Sequence, residues 1–134
     1  MSILARFKEI MTSNINALLD KADDPEKMID QYLQNLKKDF GKVKAEKALV
    51  MAEEQRAKRK LDECQDEINK MERYTLKAQE RDARKFQEKK ALLTAELSEL
   101  QTTYQLSTEK SNQMKQMHDK LMKEIEEWER ARLS

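Results

Sequence analysis

The chain has 134 residues, 40% of them charged, with a formal net charge of +1, one Gly, one Pro and one Cys. One domain's length with so few turn residues excludes a strand-rich fold, and so much charge leaves room only for a narrow apolar seam. The near-zero net charge excludes a global field that would recruit nucleic acid, and a single Cys excludes an internal disulfide.

Residues 2–19 form the first unit. At about 100° per residue, Ile3, Leu4, Phe7, Ile10, Met11, Ile15, Ala17 and Leu18 gather on one face, with Glu9, Ser13, Asn16 and Asp20 opposite. Arg6 and Lys8 fall on the borders, where a cationic side chain lays its stem on apolar surface and keeps its head in water. Asn14 is the one polar residue inside the apolar arc. Two readings stay open: a helix docked on protein, or an interfacial helix lying in the plane of a membrane. A lone amphipathic helix of this length is marginal in water, so it is expected to fray without lipid. No apolar run approaches the roughly 20 residues needed to span a bilayer. Arg6, Lys8 and Glu9 interrupt any secretory signal core, and the simplest expectation is a cytoplasmic protein.

Asp24-Pro25-Glu26 then reads as a helix start. Asp24 suits the N-cap, Pro25 the first helical position and Glu26 the first turn. Because Pro25 disfavours helical geometry at Asp24, the chain is expected to break there. The expected division is a segment 1–24 and a coiled-coil region 25–134, with arms of about 25–79 and 83–132.

The first arm carries two interleaved series at steps of seven: Ile29, Leu36, Val43, Val50, Ala57, Cys64, Met71, Ala78, and Leu33, Phe40, Lys47, Glu54, Leu61, Ile68, Thr75. Only Lys47, Glu54 and Thr75 of these are polar, so the pattern is a coiled-coil seam. The second arm carries Phe86, Lys90, Leu93, Leu97, Leu100, Tyr104, Ser107, Ser111, Met114, His118, Leu121, Ile125, Trp128 and Arg132. Between the seams the phase slips, Ala78 to Phe86 being eight residues where seven would continue the heptad.

The slip predicts a tight turn at Gln79–Asp82, folding the second arm back antiparallel on the first. The rival is one uninterrupted helix with a stutter, pairing with another chain as a rod about 160 Å long. A turn near Arg81 sets residue i opposite 162 − i, which brings Lys47 and Glu54 near Ser107, Thr108, Ser111, Met114 and His118. That match of polar positions favours the hairpin and would help to fix register. The fold class expected is therefore all-α: a long antiparallel coiled-coil hairpin behind a short amphipathic helix.

Catalytic chemistry is not legible. Cys64 and His118 occupy seam positions, where a small buried apolar group and a satisfied polar side chain are expected. Two such residues do not make a four-ligand zinc site, and there is no phosphate-cradling glycine loop. No enzyme and no cofactor are expected. The Arg56-Ala57-Lys58-Arg59-Lys60 run is flanked by Glu53, Glu54, Asp62 and Glu63, and reads as a solvated face with no direct nucleic-acid contact. Met114, Met117 and Met122 read as adaptable packing. Around the expected turn, Lys77, Arg81, Arg84, Lys85, Lys89 and Lys90 outnumber nearby acids.

Three blocks near the start carry a family resemblance: Arg6-Phe7-Lys8-Glu9-Ile10-Met11, Asn14-Ile15-Asn16-Ala17-Leu18-Leu19-Asp20-Lys21 and Asp23-Asp24-Pro25-Glu26-Lys27-Met28. With Met51–Arg59 and Asp82–Phe86, they resemble the phage shock protein A and vesicle-inducing protein in plastids family, in the bacterial branch of the ESCRT-III-like superfamily. The resemblance implies an envelope-stress protein, peripheral on the inner face of the cytoplasmic membrane, that protects or remodels it. It further implies binding to anionic membrane lipids through Ser2 to Leu19, a helix break at Asp24 and Pro25, self-association, and in some members restraint of an AAA+ transcriptional activator. The chain departs from the family in its shortened, glycine-free turn. It also ends at Leu133-Ser134 with the seam still running, so a fragment or truncated form that has lost self-assembly is expected. The alternatives are a soluble coiled-coil interaction module and a rod-forming structural dimer, neither binding lipid.

Overall fold

A computed structural model describes Ala5 and residues 15–133, with the backbone alone for Ile15, Asn16 and Leu18. Among the described residues, the helices α1 (Ile15–Asp20), α2 (Pro25–Lys77) and α3 (Glu80–Leu133) follow in chain order. The described residues contain no strand, and α2 and α3 pack against each other as a helical hairpin.

The start of α2 is built from its sequence. The Asp24 carboxylate oxygen Oδ1 accepts the Lys27 N–H at 3.2 Å. The Asp24 carbonyl accepts the Met28 N–H at 3.1 Å, the first intrahelical bond. Pro25 at the first helical position forfeits no hydrogen bond there, and Glu26 complements the positive end of the helix dipole. The lone Gly41 lies within α2, and a methyl group added to it would meet nothing within 4 Å. Close packing does not require it.

The connection is shorter and earlier than the sequence suggests. The first arm ends at Lys77 and the second begins at Glu80, leaving Ala78 and Gln79 between them. The expected turn was Gln79–Asp82, but Asp82 already lies in the first turn of α3. The Gln79 carbonyl opens α3 by accepting the Ala83 N–H at 2.8 Å. No described residue has a positive φ, so this turn needs no glycine. Lys77 in the last turn of α2, with Glu80 and Asp82 in the first turn of α3, places each charge at the helix end that favours it.

The described chain divides into two compact units: unit 1 takes the chain up to Leu49 together with 112–134, and unit 2 is Val50–Ser111. In unit 1, Leu33, Leu36 and Val43 of α2 and Met114, Met117 and Leu121 of α3 are buried. Edge-to-face packing of Tyr32 on Trp128, with ring centroids 5.6 Å apart, and the tilted Phe40–His118 pair at 4.9 Å extend that core. In unit 2, Val50, Ala57, Cys64, Ile68 and Met71 of α2 are buried. Its α3 side is less sealed, since Phe86, Leu93, Leu97, Leu100 and Tyr104 all stay half-buried.

Register within each unit runs close to the expected one. Asp30 with Arg132 and Glu72 with Lys90 obey the 162 − i pairing. The ring pairs Tyr32–Trp128 and Tyr74–Phe86 fall two short of it, and Phe40–His118 four short. Moving the turn toward Ala78 lowers the sum, and only the long charged side chains reach diagonally to the higher value.

Candidate functional site

The segment expected to meet the membrane lies largely outside the described residues: Ile3, Leu4, Arg6, Phe7, Lys8, Ile10 and Met11 all do so. Ile15 and Leu18 lie on α1, whose last turn is followed by the Ala22 N–H donating to the Leu19 carbonyl at 3.2 Å. Residues 21–24 are not helical, and α2 starts anew at Pro25 under the Asp24 cap. A helical segment, a break and a long hairpin therefore follow one another along the chain.

The seam residues form the second candidate surface. On α2, Leu36, Val43 and Val50 are each 1% exposed, Ile68 is buried, and Ile29 and Leu61 are half-buried. On α3, Leu121 is buried, while Leu93, Leu97, Leu100, Ile125 and Trp128 are half-buried. The polar seam members Lys47, Glu54 and Thr75 are half-buried too, and Arg132 is exposed. Asp39 and Met117 are buried beside the seam although neither belongs to it. Each sits next to a core position on the helix surface, and Met117 carried the only signal, its helical spacing from Met114.

Electrostatics are local. Lys37 Nζ lies 2.7 Å from Glu129 Oε1 and holds that carboxyl below its ordinary range. The pair is about half exposed on both sides and adds little stability. Burial raises the Cys64 thiol pKa, with the Glu96 charge adding to it, and Sγ donates to the Leu93 carbonyl at 3.4 Å. A thiol raised in this way stays protonated and is a poor nucleophile. His118 stacks on Phe40 and places Nδ1 3.2 Å from Asp119 Oδ1. Among the described residues no group of His, Cys, Asp and Glu is placed to hold a metal ion, and no helix is long and apolar enough to cross a membrane.

Tyr32 donates to Glu124 Oε2 at 3.3 Å, and its pKa is pushed up to about 12 by burial first and then by the Glu124 carboxylate. The folded state thus keeps a proton that the unfolded chain releases near 10.0, so stability present below that pH falls as the pH rises toward 12. Tyr32→Phe is expected to remove this component. Urea midpoints at about pH 9 and about pH 11 should fall less for the variant than for the parent. An equal fall in both would reject the assignment.

These features define an all-α hairpin protein with a short helical segment set off ahead of it by a capped break. The chain belongs to the PspA/IM30 family, whose model matches residues 2–132. It is 58% identical over 133 residues to the phage shock protein A homolog of Bacillus subtilis, covering 96% of this chain and 59% of that protein. The membrane-associated protein Vipp1 of Nostoc punctiforme is 34% identical over 73 residues, 54% of this chain and 28% of that one. The phage shock protein A homolog of Deinococcus radiodurans is 36% identical over 53 residues, 40% of this chain and 24% of its own length. The chain spans about three-fifths of the Bacillus subtilis relative.

Proposed function

We propose that this protein is a peripheral membrane-binding envelope-stress protein that protects or remodels the cytoplasmic membrane from its inner face. The family match carries the reading, because it takes in the two-faced segment 2–19 as well as the hairpin, and a relative bears the name membrane-associated. In this reading Ile3, Leu4, Phe7, Ile10, Met11, Ile15 and Leu18 enter the acyl boundary of the bilayer. Arg6 and Lys8 meet anionic headgroups from the borders of that face. The break at Asp24-Pro25 lets the segment lie in the membrane plane independently of the hairpin's direction.

Removal of residues 1–24, or Phe7→Glu, is expected to abolish sedimentation with anionic vesicles. A variant that sediments as well as the parent would overturn the anchor assignment.

The hairpin, in the same reading, supplies surfaces for self-association and for restraint of an AAA+ transcriptional activator, the activity that the family resemblance implies. That restraint would require the hairpin and not the segment. Capture of a purified AAA+ activator by the full chain and by the chain lacking residues 1–24 should therefore be equal. Loss of capture on truncation would assign the contact to the segment.

A further inference from the structure

The end of unit 2 that carries the turn differs in charge from the rest of the chain. Residues 70–90 hold eight basic and four acidic side chains, although the whole chain is only +1. Two of those acids are already taken within the hairpin, Glu72 by Lys90 at 3.0 Å and Glu80 by Arg84 at 3.6 Å. Arg73, Lys77, Arg81, Lys85 and Lys89 are exposed and make no ion pair among the described residues, with only Asp82 and Glu88 left to oppose them. The segment 2–19, by contrast, holds two basic side chains and one acidic.

Apolar surface is set among these cations. Leu76 is 87% exposed, more than any other large apolar side chain among the described residues. Tyr74 is exposed as well; its ring lies 5.3 Å from that of half-buried Phe86, and Lys70 Nζ sits 5.7 Å over it. Tyr74, Ala78 and Phe86, with Lys77, line an open hollow beside the connection. A leucine and a tyrosine among long cationic side chains suit the boundary between water and an anionic bilayer. There an aromatic ring sits at headgroup depth, Lys and Arg stems lie on apolar surface, and their heads reach anionic headgroups. The same set suits a protein partner poorly, because interface cores are depleted of Lys.

From these observations we propose that the turn end of the hairpin is a second contact for anionic lipid and the one that selects for lipid charge. Leu76 and Tyr74 enter the headgroup boundary, while Arg73, Lys77, Arg81, Lys85 and Lys89 meet lipid phosphates. The proposal rests on the anchor reading of residues 2–19, because so small an apolar contact does not hold a protein on a bilayer alone and stable attachment takes two signals. The segment supplies apolar depth, and the turn, with the larger cationic surplus, supplies the preference for anionic over neutral surfaces. All the residues of this contact belong to unit 2.

Two readouts on the full chain separate the turn from the segment. For the first, Trp128→Phe removes the single Trp and Leu76→Trp places the only indole at the turn. With vesicles of equal parts phosphatidylglycerol and phosphatidylcholine in about 50 mM salt, its emission should shift to the blue and be quenched by brominated acyl chains. With phosphatidylcholine alone, or in about 500 mM salt where screening shortens the reach of charge, it should do neither. For the second, Arg81→Glu, Lys85→Glu and Lys89→Glu together should weaken cosedimentation with the anionic vesicles at least about tenfold and leave binding to phosphatidylcholine as in the parent. None of these three side chains is buried, and far-UV circular dichroism checks that every variant folds. An indole that stays unshifted on vesicles the chain has bound, or a triple variant that binds them as the parent does, would overturn the turn contact and leave the anchor standing. Adding Phe7→Glu to the probe chain should abolish the shift, and a shift that survives would overturn the anchor while upholding the turn. A blue shift that grows with protein concentration in the absence of lipid would put a second copy on Leu76 and overturn the proposal. A parent that binds no anionic vesicles would overturn both.

Discussion

Leu36→Ala is expected to cost the protein about 2–5 kcal/mol, while Leu49→Ala, thirteen residues further along the same helix, should change stability by no more than about 0.5 kcal/mol. Both leucines belong to α2 and to unit 1, so chemistry, helix propensity and local chain context are nearly matched. They differ in face. Leu36 is 1% exposed in the seam, and Leu49 is 62% exposed. Truncating Leu36 removes apolar contact and leaves a void that two long, stiff helices close only in part, so transfer and cavity terms add. Truncating Leu49 removes a side chain that water already reaches. Urea denaturation followed by circular dichroism reads both midpoints. Equal shifts would mean that the seam is not what holds unit 1 together.

The heptad steps made the seam legible in the sequence because a coiled coil imposes its geometry on every turn. All fifteen positions of the first seam, from Ile29 in α2 to Ala78 just beyond its end, are at least half-buried, including the polar Lys47, Glu54 and Thr75. The hairpin was legible too, since a one-residue phase slip and the meeting of polar positions both argued for a chain that doubles back. The turn's place was not. A two-residue connection with no positive φ leaves no glycine or proline to mark it, and Asp82, which resembles a cap, proved to be a first-turn acid. Asp39 and Met117 were missed because a two-position seam ignores residues that the partner helix covers at its margin. His118 was expected as a satisfied polar side chain, and Asp119 lies at its Nδ1; that its ring also rests on Phe40 was not legible, since that contact depends on ring orientation rather than on heptad position.

The segment ahead of Asp24 differs in kind. Its two-faced pattern states what surface it has, not what covers it, and docking on protein uses the same face as docking on lipid. The structural contribution to that question is the break: α1 and α2 are separate helices, with the Asp24 carboxylate satisfying one orphan amide of the second, that of Lys27. Separation is what an anchor with its own orientation requires. Asp24→Ala should weaken the start of α2 without altering the apolar face that precedes it.

Removing the hydroxyl at position 111 is expected to act in the opposite direction, with Ser111→Ala raising stability by about 1 kcal/mol or more. Ser111 is wholly buried, and its Oγ has no hydrogen-bond partner among the described residues. The same is true of the Thr108 hydroxyl three residues earlier. Elsewhere in α3 such groups satisfy themselves on the preceding turn. Ser107 donates to the Thr103 carbonyl at 2.9 Å, Thr94 to Lys90 at 2.8 Å and Thr102 to Ser98 at 3.2 Å. Ser111 and Thr108 have lost water without that return, so each carries the desolvation cost of an unsatisfied group. Alanine at 111 removes this cost and improves helix propensity, and Thr108→Val does the first of these at nearly constant volume. Because the two hydroxyls are one turn apart, the double variant should be non-additive, with a coupling measurable by a double-mutant cycle. A lower urea midpoint for Ser111→Ala would show that its hydroxyl is satisfied in solution. A higher one would identify a position where this chain holds a polar seam residue against its own stability, as expected where a buried polar group fixes the register of two helices.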